Sequence, residues 1–265
     1  MIPLSLEQQQ FVRKDRQRYY FVKISRVLLL VLFIGLWEFT TRIDLIDSFI
    51  FSSPCKIMTC FLSMVKDHSI FPHIAITLFE VLVSFILVIV CSLLFAIILW
   101  YFPIISDVLE PTVIVLNSLP KSALAPLLIV WLGANQRTII VAGMSVAIFG
   151  SIISLHTSFQ STDKEKIKLI YTLHGSKIQA LTKVVIPSSL PSLVSIMKVN
   201  IGLCLVGVVI GEFLAARSGL GYLIIYSSQV FKMDWLLMSI VLLCIMAILL
   251  YALIDKIEKR IKKHP

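Results

Sequence analysis

Apolar residues in this chain come in unbroken runs, and the runs set its architecture. Val81 to Ser106, Thr138 to Thr162 and Trp235 to Ile254 contain no Asp, Glu, Lys or Arg. Each reaches the ~20 residues that a bilayer-spanning helix needs. Ile24 to Thr40 is a fourth run, apolar except for Ser25, Arg26 and Glu38, with Trp37 and Phe39 near its end as interfacial anchors. Leu193 to Leu214 is interrupted by Lys198 and Glu212, and Pro111 to Leu132 holds Pro120, Lys121 and Pro126. Proline removes a backbone hydrogen bond and clashes with the preceding turn, so a helix over that last run must be broken or kinked. The pattern predicts an all-α polytopic membrane protein with six transmembrane helices, at about 24–40, 73–101, 107–132, 138–157, 192–214 and 235–254.

The polar segments divide the chain further. Residues 1–23 form an N-terminal tail, 24–72 the first span and its outer connection, 73–255 a core of five spans, and 256–265 a basic tail. About two dozen mixed polar residues precede the first apolar run, which is unlike a cleaved signal peptide. Ser53-Pro54 followed by the apolar run Ile57 to Val65 predicts a short interfacial helix. The most patterned polar stretch is the loop at about 160–191. Within it Leu169, Ile170, Leu173, Ile178 and Leu181 recur at near-helical spacing beside Lys168, Lys177 and Lys183, and Ile186-Pro187 and Leu190-Pro191 follow. This spacing predicts a short amphipathic helix, a turn at Gly175, and a second short helix that stops at the prolines. A solvated connector needs the lysines to hold topology, but not the ordered apolar positions, so the loop reads as a docking surface. Lys177 is expected to be solvated.

Composition agrees with the pattern, since 58% apolar residues exceeds the roughly 45–50% of soluble domains. The net charge of +9 raises the question of nucleic acid, but the distribution answers it. Arg13, Lys14, Arg16 and Arg18, then Lys164, Lys166 and Lys168, and finally Lys256, Lys259 and Arg260 all fall on one side if both termini are cytoplasmic. Basic residues that flank spans on one side obey the positive-inside rule, and no nucleic-acid role is needed. The patterned loop then faces the cytoplasm.

Catalytic chemistry is thinly represented. Cys55, Cys60, Cys91, Cys204 and Cys244 form no C-x-x-C pair, and the five histidines have no metal-ligand spacing, so neither a disulfide framework nor a metal site is indicated. Gly202 and Gly207 have the spacing of phosphate-loop glycines, but Val208 and Val209 stand where Lys and Ser/Thr are required. Gly207 and Gly211 form a small-x-x-x-small pattern that permits close helix approach, within one subunit or between two. Ionisable residues inside spans often mark a pathway. Lys121, beside Pro120 in the broken span, either lines a path or snorkels to an interface; Glu80 and Glu212 sit near the outer ends, where partial hydration is expected. An intramembrane hydrolase built on Ser118 with Lys121, or on Ser145, is the enzymatic alternative; a non-transporting membrane scaffold is another.

Several of these features together resemble one family over roughly residues 50–255. Leu119-Pro120, Ala125-Pro126-Leu127, Trp131-Leu132-Gly133 and the run Gly219 to Ile224, preceded by Glu212, are similar to motifs of integral membrane permeases of bacterial binding-protein-dependent ABC importers. The branch is that of sulfonate, taurine, nitrate and thiamine-precursor systems. The family's cytoplasmic signature, Glu-Ala-Ala, three residues, Gly, nine residues, Ile-x-Leu-Pro, falls on Lys168-Leu169-Ile170, His174 and Val184 to Pro187, with Gly175 one position late. The resemblance implies the type I ABC importer permease fold. It also implies a homodimer in the bacterial inner membrane that works with ABC ATPase subunits and an extracytoplasmic solute-binding protein. On this reading the chain itself carries no cofactor, and ATP and Mg are bound by the partner ATPase. Lys168, Leu169, Ile170, Leu173, His174, Gly175 and Pro187 contact the ATPase, while Pro120, Lys121 and Glu212 belong to the translocation path.

The charge asymmetry generates a direct expectation: a cysteine placed at Glu165 reacts with an impermeant thiol reagent only from the cytoplasmic side, and one at Ser218 only from outside. External labelling at position 165 would reverse the topology.

Overall fold

The computed structural model describes residues 6–261, and all regular elements among them are helices. In chain order they are α1 (Leu6–Arg42), α2 (Ser48–Phe51), α3 (Pro54–Lys66), α4 (Ile70–Tyr101), α5 (Pro103–Ser118), α6 (Lys121–Leu132), α7 (Gln136–Gln160), α8 (Lys164–Thr172), α9 (Lys177–Ala180), a π turn (Leu181–Val185), α10 (Ile186–Ala215), α11 (Leu220–Gln229) and α12 (Met233–Ile261). α1, α4, α7, the run from α9 through α10, and α12 are each long and apolar enough to cross a bilayer. α5 and α6 meet at 97° across Leu119-Pro120 and, taken as one broken span, make the sixth.

Three helices form the centre. α7 packs along both α4 and α10, α12 closes the far side of α10, and α3 lies across α12. A hydroxyl chain joins the three central helices away from lipid: Asn200 Nδ2 donates to Ser151 Oγ (2.9 Å), which donates to Ser92 Oγ (3.0 Å). Closer to the other end, Ser84 Oγ meets the carbonyls of Glu80 (2.7 Å) and Ile140 (3.1 Å). Lipid tails are as apolar as leucine, so such contacts and close packing hold membrane helices together in place of the hydrophobic effect. Gly207 supplies the close packing. A Cβ there would sit 2.8 Å from the Ala142 carbonyl oxygen and 2.8 Å from the Gly143 Cα, and Gly211 faces Ile139 one turn on. Both glycines of the small-residue pattern therefore abut α7 of the same chain.

Several boundaries differ from the sequence reading. The N-terminal tail is continuous with the first span: α1 starts at Leu6, and residues 1–5 lie outside the described residues. The fifth span starts at Lys177 rather than near 192, because Pro187 and Pro191 do not stop it. The π turn shifts the hydrogen-bond register just ahead of Pro187, with the Ile186 N–H reaching back to Leu181 O, and Pro187 then occupies the first turn of α10, where its missing N–H is tolerated. The basic tail is not separate either. α12 runs on to Ile261, and Lys198 of α10 pairs with Asp255 (2.5 Å) and Glu258 while Lys259 pairs with Asp255 (2.7 Å). The expected interfacial helix after Ser53-Pro54 is present as α3, with Ser53 Oγ accepting the Lys56 N–H (3.3 Å).

The α7–α10 crossing gives a measurable contrast. Gly207→Leu forces the two backbones apart and lowers thermal stability by about 1–3 kcal/mol or more, as overpacking does. Gly202→Ala, on the same helix with nothing within 4 Å, is neutral or stabilising by up to ~1 kcal/mol. Equal melting temperatures for the two variants would refute this crossing.

Candidate functional site

The connection between α7 and α10 is built as a rigid unit. Asp163 starts α8 by accepting the Glu165 N–H (2.9 Å). Past Thr172 the helix ends in a Schellman motif: the Gly175 N–H reaches Ile170 O (2.8 Å), the His174 N–H reaches Tyr171 O (3.0 Å), and His174 takes the left-handed φ of 56°. The turn expected at Gly175 is thus present, with the strained residue one position earlier. Ser176 and Gln179 then form a reciprocal capping box that starts α9.

This unit is seated on the spans. Leu181 and Val185 are buried against Ala96 of α4 and Leu155 and Phe159 of α7, with Ile167 of α8 packed beside them. Lys177, expected to be solvated, is instead half-buried: its ammonium donates to the Tyr101 carbonyl (2.6 Å) at the end of α4 and lies 5.0 Å from the Tyr101 ring centroid. The carbonyls of a helix's last turn lack intrahelical partners and carry partial negative charge, which is what draws the lysine in. The opposite face of the unit is uncovered. Leu169 (58% exposed), Leu173 (70%) and Ile178 (57%) stand out from it, with Tyr171 beside them. Lys168, His174 and Pro187 are exposed too, and Ile170 and Gly175 are half-buried. Leu169 and Leu173 are one turn apart and share a face.

At the break between α5 and α6, Lys121 Nζ donates to the carbonyls of Leu116 (2.6 Å) and Asn117 (3.0 Å) and lies 5.2 Å from the Phe149 ring centroid. It occupies the gap opened by Pro120 and satisfies the carbonyls that the bend frees. The hydrolase arrangement is absent there: Ser118 Oγ donates to Ile114 O (3.1 Å) and Ser145 Oγ to Ala142 O (2.8 Å), so neither serine is bonded to a base. Each hydroxyl is taken up by its own helix.

At the far end from α8, Glu80 and Glu212 are not partly hydrated as expected but are each 1% exposed. Glu212 accepts Thr77 Oγ1 (2.6 Å) and the Gly221 N–H (2.5 Å), and the Tyr222 N–H also reaches it, so its carboxylate caps the start of α11 from the preceding helix. Thr77 Oγ1 in turn accepts the Leu220 N–H (2.8 Å). Gly219, at φ 123°, leads the chain around this carboxylate, where a Cβ would lie 2.5 Å from it. The site residues proposed from sequence thus fall into four places: the α8–α9 surface with Pro187 at the start of α10, the α5–α6 break, the Glu212 clasp, and the α7–α10 crossing of Gly207 and Gly211. Sequence reasoning missed the full burial of Glu80 and Glu212 and the anchoring of Lys177; two acidic residues in otherwise apolar runs were the available signal for the first.

Comparison with known proteins agrees with this architecture. The family model described as "Binding-protein-dependent transport system inner membrane component" matches residues 88–263. The formylaminopyrimidine transport permease protein ThiX of Halalkalibacterium halodurans is 24% identical over 89% of this chain and 93% of its own length. The aliphatic sulfonates transport permease protein SsuC of Bacillus subtilis, a putative assignment by its name, is 22% identical over 95% and 91%. Among solved structures, an inward-facing MetNI methionine ABC transporter chain aligns with a TM-score of 0.63 at 16% identity, over 71% of this chain and 94% of that one, and is similar in fold.

The turn after α8 can be tested by exchange. His174→Gly removes the left-handed penalty and stabilises the protein by up to about 1–2 kcal/mol. Gly175→Ala destabilises it, because a Cβ there falls on the Ile170 side chain and 2.8 Å from the Ile170 carbonyl oxygen. Thermal melts of the two purified variants should move in opposite directions; movement in the same direction would show that the turn is shaped otherwise.

Proposed function

The chain belongs to the inner membrane components of binding-protein-dependent transport systems, the permease subunits of ABC importers, and on that premise we propose that it forms the translocation path for a small polar or anionic solute. The observation that carries the coupling half of this reading is the exposed apolar ridge of Leu169, Leu173 and Ile178 on a capped, span-anchored unit. Exposed apolar patches mark sites of association, and this one is fixed to α4 through Lys177 and to α7 through Leu181 and Val185. A partner ATPase that closes on ATP and Mg pushes on this ridge, and the unit passes the displacement to the central helices as a rigid body.

Both termini and this unit face the cytoplasm, in line with the basic residues around them. The homodimer follows the family resemblance. α1, none of whose most apolar window is buried in the isolated chain, then meets lipid and the second copy. The path runs past the α5–α6 break, where Pro120 interrupts the helix and Lys121 is the cation at hand. Broken helices line the solute sites of transporters, and a lysine there suits an anionic or zwitterionic solute. The sulfonate assignment of one relative falls in that range, whereas formylaminopyrimidine, named for another, is a small polar molecule without an acidic group. An extracytoplasmic binding protein delivers the solute and holds most of the selectivity.

Leu173→Asp tests the reading. The side chain is exposed in the isolated chain, so insertion and folding stay normal, but a charge buried unpaired in the ATPase contact costs several kcal/mol. The variant is expected to lose co-purifying ATPase or solute-stimulated hydrolysis. Retention of both, with full transport, would reduce the ridge to a connector.

A further inference from the structure

We propose that the groove between α1 and α12 holds an acyl chain of an anionic phospholipid, whose phosphate is gripped by Lys56 and Lys232 at the groove's mouth. The short helix α2 packs against both α1 and α12. Ser52, its C-cap, fixes it to the first turn of α12 by donating to Asp234 Oδ1 (2.5 Å). Beside α2 the two long helices leave a groove of about 550 Å³, lined by Leu36 and Trp37 of α1, Phe51 of α2 and Leu236 of α12. The hydroxyl that lines it, that of Thr40, is taken up by Leu36 O (2.9 Å). Such a gap forfeits dispersion contacts unless apolar atoms fill it, and in a bilayer the apolar atoms at hand are acyl chains.

The mouth is polar and cationic. Met233 belongs both to the groove and to an adjoining cavity of about 300 Å³, whose wall includes Ser48, Lys56, Phe231, Lys232, Asp234 and Trp235. Ser48 steers Lys56 there, its Oγ (2.9 Å) and carbonyl oxygen (3.4 Å) accepting from the ammonium. Lys232 Nζ lies 4.3 Å from the Trp235 ring centroid. The turn ahead of it is made by Phe231 at a left-handed φ of 56°, a conformation that is costly for a bulky side chain. Neither lysine makes an ion pair among the described residues. Asp234 faces the same cavity with its carboxylate bonded to Ser52, so two lysines against one aspartate leave positive charge in excess. Trp37 in the groove and Trp235 at the mouth suit the membrane interface, where tryptophans collect.

Charge decides the occupant. A phospholipid joins an acyl chain to a phosphate, which is the order of surfaces found here. A second copy of α1 would match the apolar groove, but the acid at this end of α1 is already engaged: Glu38 is held by Arg42 (2.8 Å) and by the Cys55 N–H (3.1 Å). It brings nothing for the two lysines. A lipid in this place fastens α1, which packs against α2 and α3, to α12 as well. This goes beyond the permease reading and is tested without transport.

The experiment is native mass spectrometry on the purified full chain, titrated with phosphatidylglycerol or with phosphatidylcholine of the same acyl chains. Wild type is expected to retain phosphatidylglycerol in preference. Lys56→Gln and Lys232→Gln should each lower that preference roughly fivefold, the share of one lysine near a lipid surface. Lys66→Gln, at the end of α3 and outside the cavity, should leave it unchanged. Leu36→Trp, which fills the groove, should weaken both lipids, and glycerol phosphate should not displace phosphatidylglycerol because it has no acyl chain. These side chains are all exposed, so the variants should fold. The proposal is overturned if wild type holds both lipids equally, if Lys66→Gln lowers the preference as much as the cavity variants, or if glycerol phosphate competes fully. It is also overturned if Leu36→Trp leaves lipid binding intact; loss of a dimer in that variant would then mark a second copy as the occupant.

Discussion

Inside a bilayer every backbone N–H and C=O must find its partner within the protein, and this one requirement explains where the chain places its rare charges. Continuous helices meet it unaided. At the two interruptions they cannot, and there an ionisable side chain supplies the missing partner: Lys121 donates to the carbonyls stranded at the end of α5, and Glu212 accepts the amides stranded at the start of α11. The two residues are electrostatic mirror images, a cation at a helix C-terminus and an anion at a helix N-terminus. Ionisable residues in spans are commonly read first as pathway markers. Here each has a structural duty that must be satisfied before any role toward solute, and for Lys121 the two are compatible because the ammonium sits at the break itself.

Mechanical continuity follows from the same economy of contacts. The central helices α4, α7 and α10 are joined by glycine-mediated packing and a buried Ser92-Ser151-Asn200 chain into one packed block. The α8–α9 unit joins that block at two points, the apolar seat under Leu181 and Val185 and the Lys177 bond to Tyr101 O. On the coupling reading proposed above, a push on the exposed ridge is delivered to α4 and α7 together. At the other end, the hydrogen bonds of Thr77 and Glu212 tie α4 and α10 to α11. α4, a helix of 32 residues without a break, connects the two ends.

Permeases are assembled from parts whose chemistry is mostly generic, and the family signature illustrates how little of it is needed. The signature positions carry Lys168, Leu169 and Ile170 instead of Glu-Ala-Ala, and His174 where the family has glycine. His174 still adopts the left-handed conformation that glycine would adopt freely. The Schellman hydrogen bonds and the capping box around it hold the turn despite that cost. The turn is thus held by backbone and capping hydrogen bonds and not by a glycine.

The apolar runs were legible in sequence because a bilayer imposes a length and a composition that any spanning helix must meet; five long apolar helices and the break near Pro120, where two shorter ones meet at 97°, follow from that, and the amphipathic unit near 168–181 was legible from its helical spacing. Helix ends were less legible. Pro187 and Pro191 look like stops, but the π turn ahead of them, which absorbs the missing N–H, depends on the fit of Leu181 and Val185 under α4 and α7. Lys177 looked solvated because its acceptor, Tyr101 O, lies 76 residues away. Thr77 and Glu212 are separated by 135 residues, and single apolar runs give no sign that they meet. Sequence by itself determined which segments enter the membrane, since that rests on local hydrophobicity. Only the tertiary structure decided which buried charges find partners, since hydrogen bonds between distant segments exist only after the helices have packed.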